Sequence, residues 1–220
     1  MSDDYPVTAR NKARQLREMA VYDRDAVHAV LDAGLVAQVG FVQDGAPVVV
    51  PMIYARDGET VYLHGARKAR VIRLLEDTET VCVNVTHVDG IVLARSAFNS
   101  SMNYRSVTIF GTPEFVESPQ GKLRAMKAIS EHLMPGRWDE LREPLEKEVK
   151  MTGVIAVTID SASAKISAGM PDDEDADYDT PVWAGVLPVT TRFGSLVDDD
   201  RLLAGVTPSG LVKALQGKTI

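Results

Sequence analysis

Residues 61–70, Val-Tyr-Leu-His-Gly-Ala-Arg-Lys-Ala-Arg, put a histidine, a glycine and three cations close together. Val61 and Leu63 alternate with Tyr62 and His64, which is the period of a strand, and Gly65 stops it. The basic segment that follows opens a helix through Val71, Leu74 and Leu75. A strand that turns through glycine into a helix start leaves backbone N–H groups unpaired and aimed at one spot. With Ala66 on the turn and Arg67, Lys68 and Arg70 around it, that spot has the chemistry of a phosphate cradle. The competing reading is a connecting loop with a solvated basic surface.

A second polar cluster, Asn103-Tyr104-Arg105-Ser106, enters another strand. Tyr104 offers a face for stacking on a flat ring, and Arg105 and Ser106 offer donors to phosphate or ring heteroatoms. Singly, each serves equally well as a strand edge or an interface contact; together they point to a flat, phosphorylated ligand. The common hydrolase and nucleotide motifs are absent: no Gly-x-Ser-x-Gly, His-Glu-x-x-His, Walker-type loop or Gly-x-Gly-x-x-Gly after a strand. His28, His64, His87 and His132 are dispersed and give no metal-ligand spacing, so no metal centre is expected. His28, beside apolar helical neighbours, reads as a structural histidine.

The chain that must position these groups has 220 residues, 45% hydrophobic and 25% charged, within the range of ordinary globular proteins. Its 24 Lys and Arg against 31 Asp and Glu give a net charge of −7, which argues against a general nucleic-acid surface. No apolar run is long enough to span a bilayer, and the first residues lack the basic and apolar regions of a signal peptide. Cys82 is the only cysteine and lies in an apolar run, so a buried, inert thiol is expected. A cytoplasmic location follows.

Residues 1–22, with Arg10, Lys12, Arg14 and Arg17, read as an arm, either flexible or a short helix laid on a neighbour. Asp23 caps a helix with Ala26, Val27, Val30 and Leu31 on one face, ended by Gly34. Strands are expected over 36–43 and 47–55, joined by Asp44-Gly45, and over 60–64 after Asp57-Gly58. The pattern resumes over 80–88, turns at Asp89-Gly90, continues through 91–94, and returns over 104–110. Ser118-Pro119 starts a helix with Leu123, Met126, Ile129, Leu133 and Met134 as its apolar stripe. A charged helix over 138–150, a strand over 154–159 and a shorter one over 165–168 follow. The acidic run after Pro171 lacks EF-hand spacing and reads as a solvated loop; from Trp183 the chain wraps the surface or a partner subunit. Strands joined by tight turns, followed by helices, predict a mainly β or α+β domain: an antiparallel barrel or curled sheet with helices outside.

At these residues the sequence resembles the pyridoxamine 5′-phosphate oxidase-like, FMN-binding split-barrel superfamily, and within it the flavin-nucleotide-binding branch that includes nitroimidazole-resistance-type proteins. The resemblance runs through Tyr22-Asp23-Arg24, Val39-Gly40-Phe41-Val42, Leu63-His64-Gly65-Ala66, the stretch from Asp89 to Ser96, Asn103 to Val107 with Phe110-Gly111, Pro135-Gly136-Arg137-Trp138, Ser163-Ala164-Lys165 and Val182-Trp183-Ala184-Gly185. It implies a six-stranded antiparallel split β-barrel over residues 23–170, with peripheral helices and an acidic loop and wrapping tail over 171–220. It also implies a homodimer with FMN at the subunit interface. Val49, Val50, Pro51 and Met52 would run along the flavin ring through backbone groups, His64, Gly65 and Ala66 would approach it, and Arg67, Lys68 and Arg70 would hold the phosphate. Tyr104, Arg105 and Ser106 match ring- or phosphate-contacting positions, and Trp183 belongs to a covering tail.

Two departures shape the functional expectation. The true oxidases place a basic residue at each end of the strand matching 48–53, where this chain has Val48 and Ile53, so charge must come from Arg67, Lys68 and Arg70. There is also no Arg-x-His tail motif of the kind that binds the pyridoxal phosphate substrate, so oxidation of vitamin B6 is not expected. The resemblance therefore implies an FMN-dependent oxidoreductase or reductase of an unidentified small molecule, with His64 as the candidate group near the ring. The rivals are a deazaflavin-dependent enzyme, a haem-binding split barrel with His64 or His87 as axial ligand, and a non-catalytic flavin carrier.

Overall fold

The computed structural model describes residues 4–15 and 17–220. A two-residue strand β1 (Ala20–Val21) and helix α1 (Arg24–Ala33) lead into β2 (Val36–Gln43), β3 (Ala46–Asp57) and β4 (Thr60–Ala66). Helix α2 (Arg70–Glu76) precedes two long strands, β5 (Val81–Leu93) and β6 (Ser101–Phe115). Helices α3 (Pro119–Leu133) and α4 (Glu146–Met151), strand β7 (Thr152–Ser167), strand β8 (Gly185–Pro188) and helix α5 (Gly210–Leu215) complete the chain. Among the described residues, no helix is long and apolar enough to cross a membrane.

Six strands pair antiparallel in the order β7-β4-β3-β2-β5-β6, and β6 pairs back on β7 to close a ring. The turn pattern predicts an antiparallel barrel or curled sheet, and the ring of six strands is the split-barrel class that the resemblance implies. The β2–β3 turn shows how the sequence directs it: Asp44 (φ 50°) and Gly45 (φ 77°) are both left-handed, the turn whose twist suits a two-residue hairpin. Alternation then turns Val39, Tyr54, Val61, Leu63, Val83, Val107, Ile109 and Val157 into a fully buried core. Helix α1, capped by the Asp23 carboxylate accepting from Ala26 N (2.9 Å), adds Val27, Val30 and Leu31, and α2 adds Ile72 and Leu75. The Tyr54 hydroxyl donates to Leu31 O, so its burial leaves no polar group unpaired.

Several elements differ from the sequence pattern for identifiable reasons. Asp89-Gly90 is not a hairpin. It lies inside β5, where the β6 register shifts between Val88↔Tyr104 and Gly90↔Asn103, a one-residue bulge. Gly90 serves a close approach instead, because a Cβ there would lie 2.8 Å from Val186 Cγ1 on β8. The two strands expected over 154–159 and 165–168 are one strand, β7; an irregularity opposite Phe110 and Gly111 sets Asp160 aside and breaks the pattern only locally. The expected helix over 138–150 is a 3-10 turn (Trp138–Glu140) and the short α4, separated by an extended stretch containing Pro144. The α3 face that buries is Lys122, Ala125 and Ile129: the lysine's ammonium lies 5.1 Å from the Phe115 ring centroid and donates to Thr152 O (2.9 Å).

Neither terminal region matches its local pattern. Among the described residues before α1, the chain is tied down rather than free, and its helical part is one 3-10 turn (Arg17–Met19). Tyr5 is buried, with its hydroxyl donating to Glu59 Oε2 (2.6 Å), and the Asn11 amide donates to Pro6 O and Ala162 O, both at 2.9 Å. The acidic run is not wholly solvated, since Asp173 is buried and pairs with Arg95 (3.0 Å).

A Cβ on Gly111 would lie 2.2 Å from Thr158 O, a backbone atom with nowhere to move. Gly111→Ala is therefore expected to push β6 from β7 and destabilise by about 1–3 kcal/mol, as overpacking does, read as a lower urea midpoint; an unchanged midpoint would mean that the ring seam adjusts freely.

Candidate functional site

The split in the ring is where the first cluster lies. β3 pairs with β2 along residues 46–53, but its pairing with β4 covers only Tyr54–Asp57 against Thr60–Leu63. Residues 46–53 therefore have one backbone edge outside any strand pairing. Val49, Pro51 and Ile53 point outward and are exposed, while Val50 packs inward and Met52 is buried. His64 follows the last β3–β4 pair, so it stands at the Ile53 end of the free edge. At the other end, Arg70 donates to Gln43 Oε1 (2.7 Å), next to the β2–β3 turn.

His64 is half-buried, and its Nδ1 is buried with no hydrogen-bond partner. Burial holds its pKa below the ordinary imidazole value, so the neutral ring dominates at neutral pH. The other histidines are engaged. His28 Nε2 lies 2.9 Å from the Tyr5 hydroxyl, His87 Nε2 donates to Val30 O (3.0 Å), and His132 Nε2 donates to Gly34 O (2.5 Å). Of the four, His64 alone keeps an unsatisfied buried nitrogen.

The three cations of the strand–helix turn are not equivalent. Arg67 forms a two-pronged pair with Glu76 (3.0 and 3.1 Å) and lies 4.1 Å over the Phe115 ring, so its charge is largely compensated. Arg70 is bonded to a neutral amide and keeps its charge; Lys68 is exposed and, among the described residues, makes no ion pair. Gly65 is filled from within. A Cβ there would lie 3.2 Å from Ile72 Cγ1, and its pairing partner Gly153 would meet Ile72 Cγ2 at 2.7 Å. These two glycines let α2 sit against the end of the ring, with Ala66 O receiving Ala69 N (2.8 Å) in the turn.

The second cluster is elsewhere on the chain. Tyr104, Arg105 and Ser106 lie on β6, two strands from β4 by way of β7, but they pair with Ser167, Ile166 and Lys165 whereas His64 pairs with Val154, so the length of β7 separates the two clusters. Arg105 is tied to Asp89 by two hydrogen bonds (2.9 and 2.8 Å), which hold that carboxyl below its usual range. Ser106 Oγ accepts from Asn84 Nδ2 (3.1 Å) and lies 2.7 Å from Thr86 Oγ1. Asn84 and Thr86 escaped the sequence reading; their signal was two polar residues at alternate positions of an apolar strand. Trp183 is exposed just before β8. The chain thus gathers Val49–Met52 with His64–Arg70, and leaves Tyr104–Ser106 and Trp183 outside that cluster.

Residues 23–166 match the model of the pyridoxamine 5′-phosphate oxidase family. Solved structures similar to this one include the flavocytochrome Anf3 from Azotobacter vinelandii, at 34% identity over 96% of this chain and 98% of that one, with a TM-score of 0.89. The FAD and heme binding protein from Mycobacterium smegmatis aligns at 36% identity over 90% and 98% of the two chains, with a TM-score of 0.86. A candidate 5-nitroimidazole antibiotic resistance protein from Bacteroides thetaiotaomicron shares the fold at 24% identity over 67% and 86%, with a TM-score of 0.58. No curated protein matches the chain.

Burial lowers the pKa of both His64 and His28, whereas in the unfolded chain each titrates near pH ~6.5. Below that value the unfolded state takes up protons that the fold does not. Stability is therefore full above about pH 6.5 and falls as the pH drops toward the folded-state values. Between about pH 7.5 and about pH 5.5 the melting temperature of His64→Gln is expected to fall less than that of the wild type. Equal falls would mean that His64 titrates as it does in water.

Proposed function

The chain belongs to the pyridoxamine 5′-phosphate oxidase family, and from that membership we propose that it binds a flavin mononucleotide moiety, as FMN or as the FMN half of FAD, in a homodimer. The observation that carries this reading is the unpaired backbone edge of residues 46–53, bounded by His64 and Arg70. Backbone N–H and C=O groups in a row suit the alternating donors and acceptors along a flavin ring, and the similar Mycobacterium smegmatis protein is an FAD and heme binding protein. Lys68 and Arg70 supply charge for the phosphate; Arg67, spent on Glu76, is expected to contribute less. The residues present fit the group, with a weaker phosphate site than three free cations would make.

When bound, the flavin supplies redox chemistry. The chain's part is to orient the ring along 49–52, to hold the phosphate with Lys68 and Arg70, and to keep a neutral imidazole at His64 that can accept or relay a proton. On this reading the protein is an oxidoreductase of a small molecule, and vitamin B6 is not its substrate. Homodimerisation rests on the outer face, where Val36, Val42, Val49 and Ile53 are 41–66% exposed around the split. A partner seated there would bury them and bring its own Tyr104, Arg105 and Ser106 within reach of the site.

Haem is a second reading, favoured by one feature of the chain. Two similar structures are named as a flavocytochrome and an FAD and heme binding protein, and His64 keeps a buried, unsatisfied nitrogen in the neutral form that ligates iron. His87 is the weaker candidate because Val30 O occupies its Nε2.

Visible spectra before and after addition of flavin and desalting test both readings. Two flavin bands that persist, with the released cofactor identified by chromatography as FMN or FAD, support the first; a sharp Soret band lost in His64→Ala supports the second. Lys68→Glu and Arg70→Glu should each weaken flavin binding by about tenfold or more, the loss of one charge-assisted hydrogen bond. A colourless protein that releases both added flavins would overturn the proposal.

A further inference from the structure

The segment from Arg10 to Arg14 alternates cations with anchors. Asn11 is buried, donating to Pro6 O and Ala162 O and accepting from Thr8 N (2.6 Å) and Thr8 Oγ1 (3.1 Å). Ala13 N donates to the Tyr22 hydroxyl (3.0 Å), which in turn donates to Asn11 O (3.4 Å). Farther along, β1 clamps the chain to β7 through Ala20↔Lys165. The segment is thus fastened at several points, and the alternate residues Arg10, Lys12 and Arg14 are left exposed on its other side.

They border a cleft of about 520 Å³ completed by Thr108, Phe110, Ser163 and Lys165, with no carboxylate among its lining residues. Among the described residues, none of these four cations has an ion-pair partner. Elsewhere the chain pairs its arginines, as at Arg24–Glu59, Arg56–Asp32, Arg95–Asp173 and Arg105–Asp89. In a chain of net charge −7, four uncompensated cations held around one cleft repel one another, and an anion relieves that repulsion. The rest of the lining is more selective than charge alone. Thr108 and Ser163 face each other across the β6–β7 ladder. Thr108 Oγ1 already accepts from Asn84 Nδ2 (3.0 Å), which leaves its own proton free to donate. The half-buried Phe110 supplies an aromatic face.

We infer that this cleft binds the pyrophosphate of a nucleoside diphosphate, with Arg10, Arg14, Lys12 and Lys165 on the phosphates and Phe110 under the base. Arginine forks grip phosphate oxygens in pairs, and base–aromatic stacking tolerates any base, so the site recognises the class rather than one nucleotide. The diphosphate is either a free nucleotide or part of a dinucleotide. The inference does not rest on the flavin reading. The cleft neighbours Ser106, which pairs with Lys165, and lies away from His64.

The test is calorimetric titration of ADP into the full chain, with flavin content read by absorbance in the same sample so that the two proposals fail separately. Arg10→Glu with Arg14→Glu should weaken ADP binding by about tenfold or more without lowering the melting temperature, because both side chains are exposed and the reversal relieves the repulsion among the cations. Phe110→Ala should weaken ADP and leave inorganic pyrophosphate unaffected. ADP that displaces FAD but not FMN assigns the cleft to a dinucleotide; ADP that binds without displacing flavin assigns it to a separate nucleotide. Absence of ADP binding by the wild type, or binding indifferent to the charge reversal, would overturn the inference.

Discussion

The antiparallel ladder between β6 and β7, from Tyr104↔Ser167 to Phe115↔Ile155, turns an open sheet into a ring. Without it, β7 and β6 would each present an unpaired edge, and the core lined by Val107, Ile109 and Val157 would be open to water. Its tightest point is Gly111 against Thr158 O, where only a glycine fits. The same ladder fixes the stagger. β7 meets β4 along Thr152–Thr158 and β1 at Ala164 and Lys165, so the first half of the strand closes the ring while the second half carries the N-terminal segment. Both candidate sites inherit their positions from that division.

The split follows from the same geometry. A closed ring needs each strand paired on both edges, yet β3 is twelve residues long and β4 only seven. β4 leaves β3 after Leu63 to continue along β7 and turn into α2, held by Arg67 N donating to Met151 O (2.8 Å) and by Ile72 seated on Gly65 and Gly153. The departure strands one edge of residues 46–53 beside His64. The unsatisfied nitrogen of that histidine and the free backbone edge are thus two results of one mismatch in strand length.

Much of this was legible locally. Asp44-Gly45 marks a left-handed turn, Asp23 and Ser118 mark helix starts, and strand alternation separates Val61 and Leu63 from His64. The segment 61–70 could be read as strand, glycine and helix because each step is decided by neighbours in sequence. What could not be read depends on distant partners. Asp89-Gly90 carries the composition of a turn, but a glycine also answers to close approach, and only the presence of β8 decides between the two. The sequence shows Arg67 as a phosphate ligand equal to Lys68, and only the fold of α2 returns Glu76 to neutralise it. Tyr5 and Asn11 look like residues of a loose arm until Glu59 and Ala162 meet them.

Which cations the fold compensates is therefore more informative than how many there are. Arg24, Arg56, Arg95 and Arg105 are fixed to carboxylates and act as struts, whereas Lys68 and the Arg10–Arg14 row are positioned by backbone and have no counter-charge among the described residues. Surface pairs contribute little stability, so pairing is no strong selective gain in itself. Leaving several cations unpaired around one cleft is a cost in every state except the one with an anion bound. In the proposed homodimer, burying Val49 and Ile53 would also exclude water from the split, lower the local dielectric and strengthen each remaining charge there. A modest set of free cations could then hold phosphates that the same groups on an open surface would release.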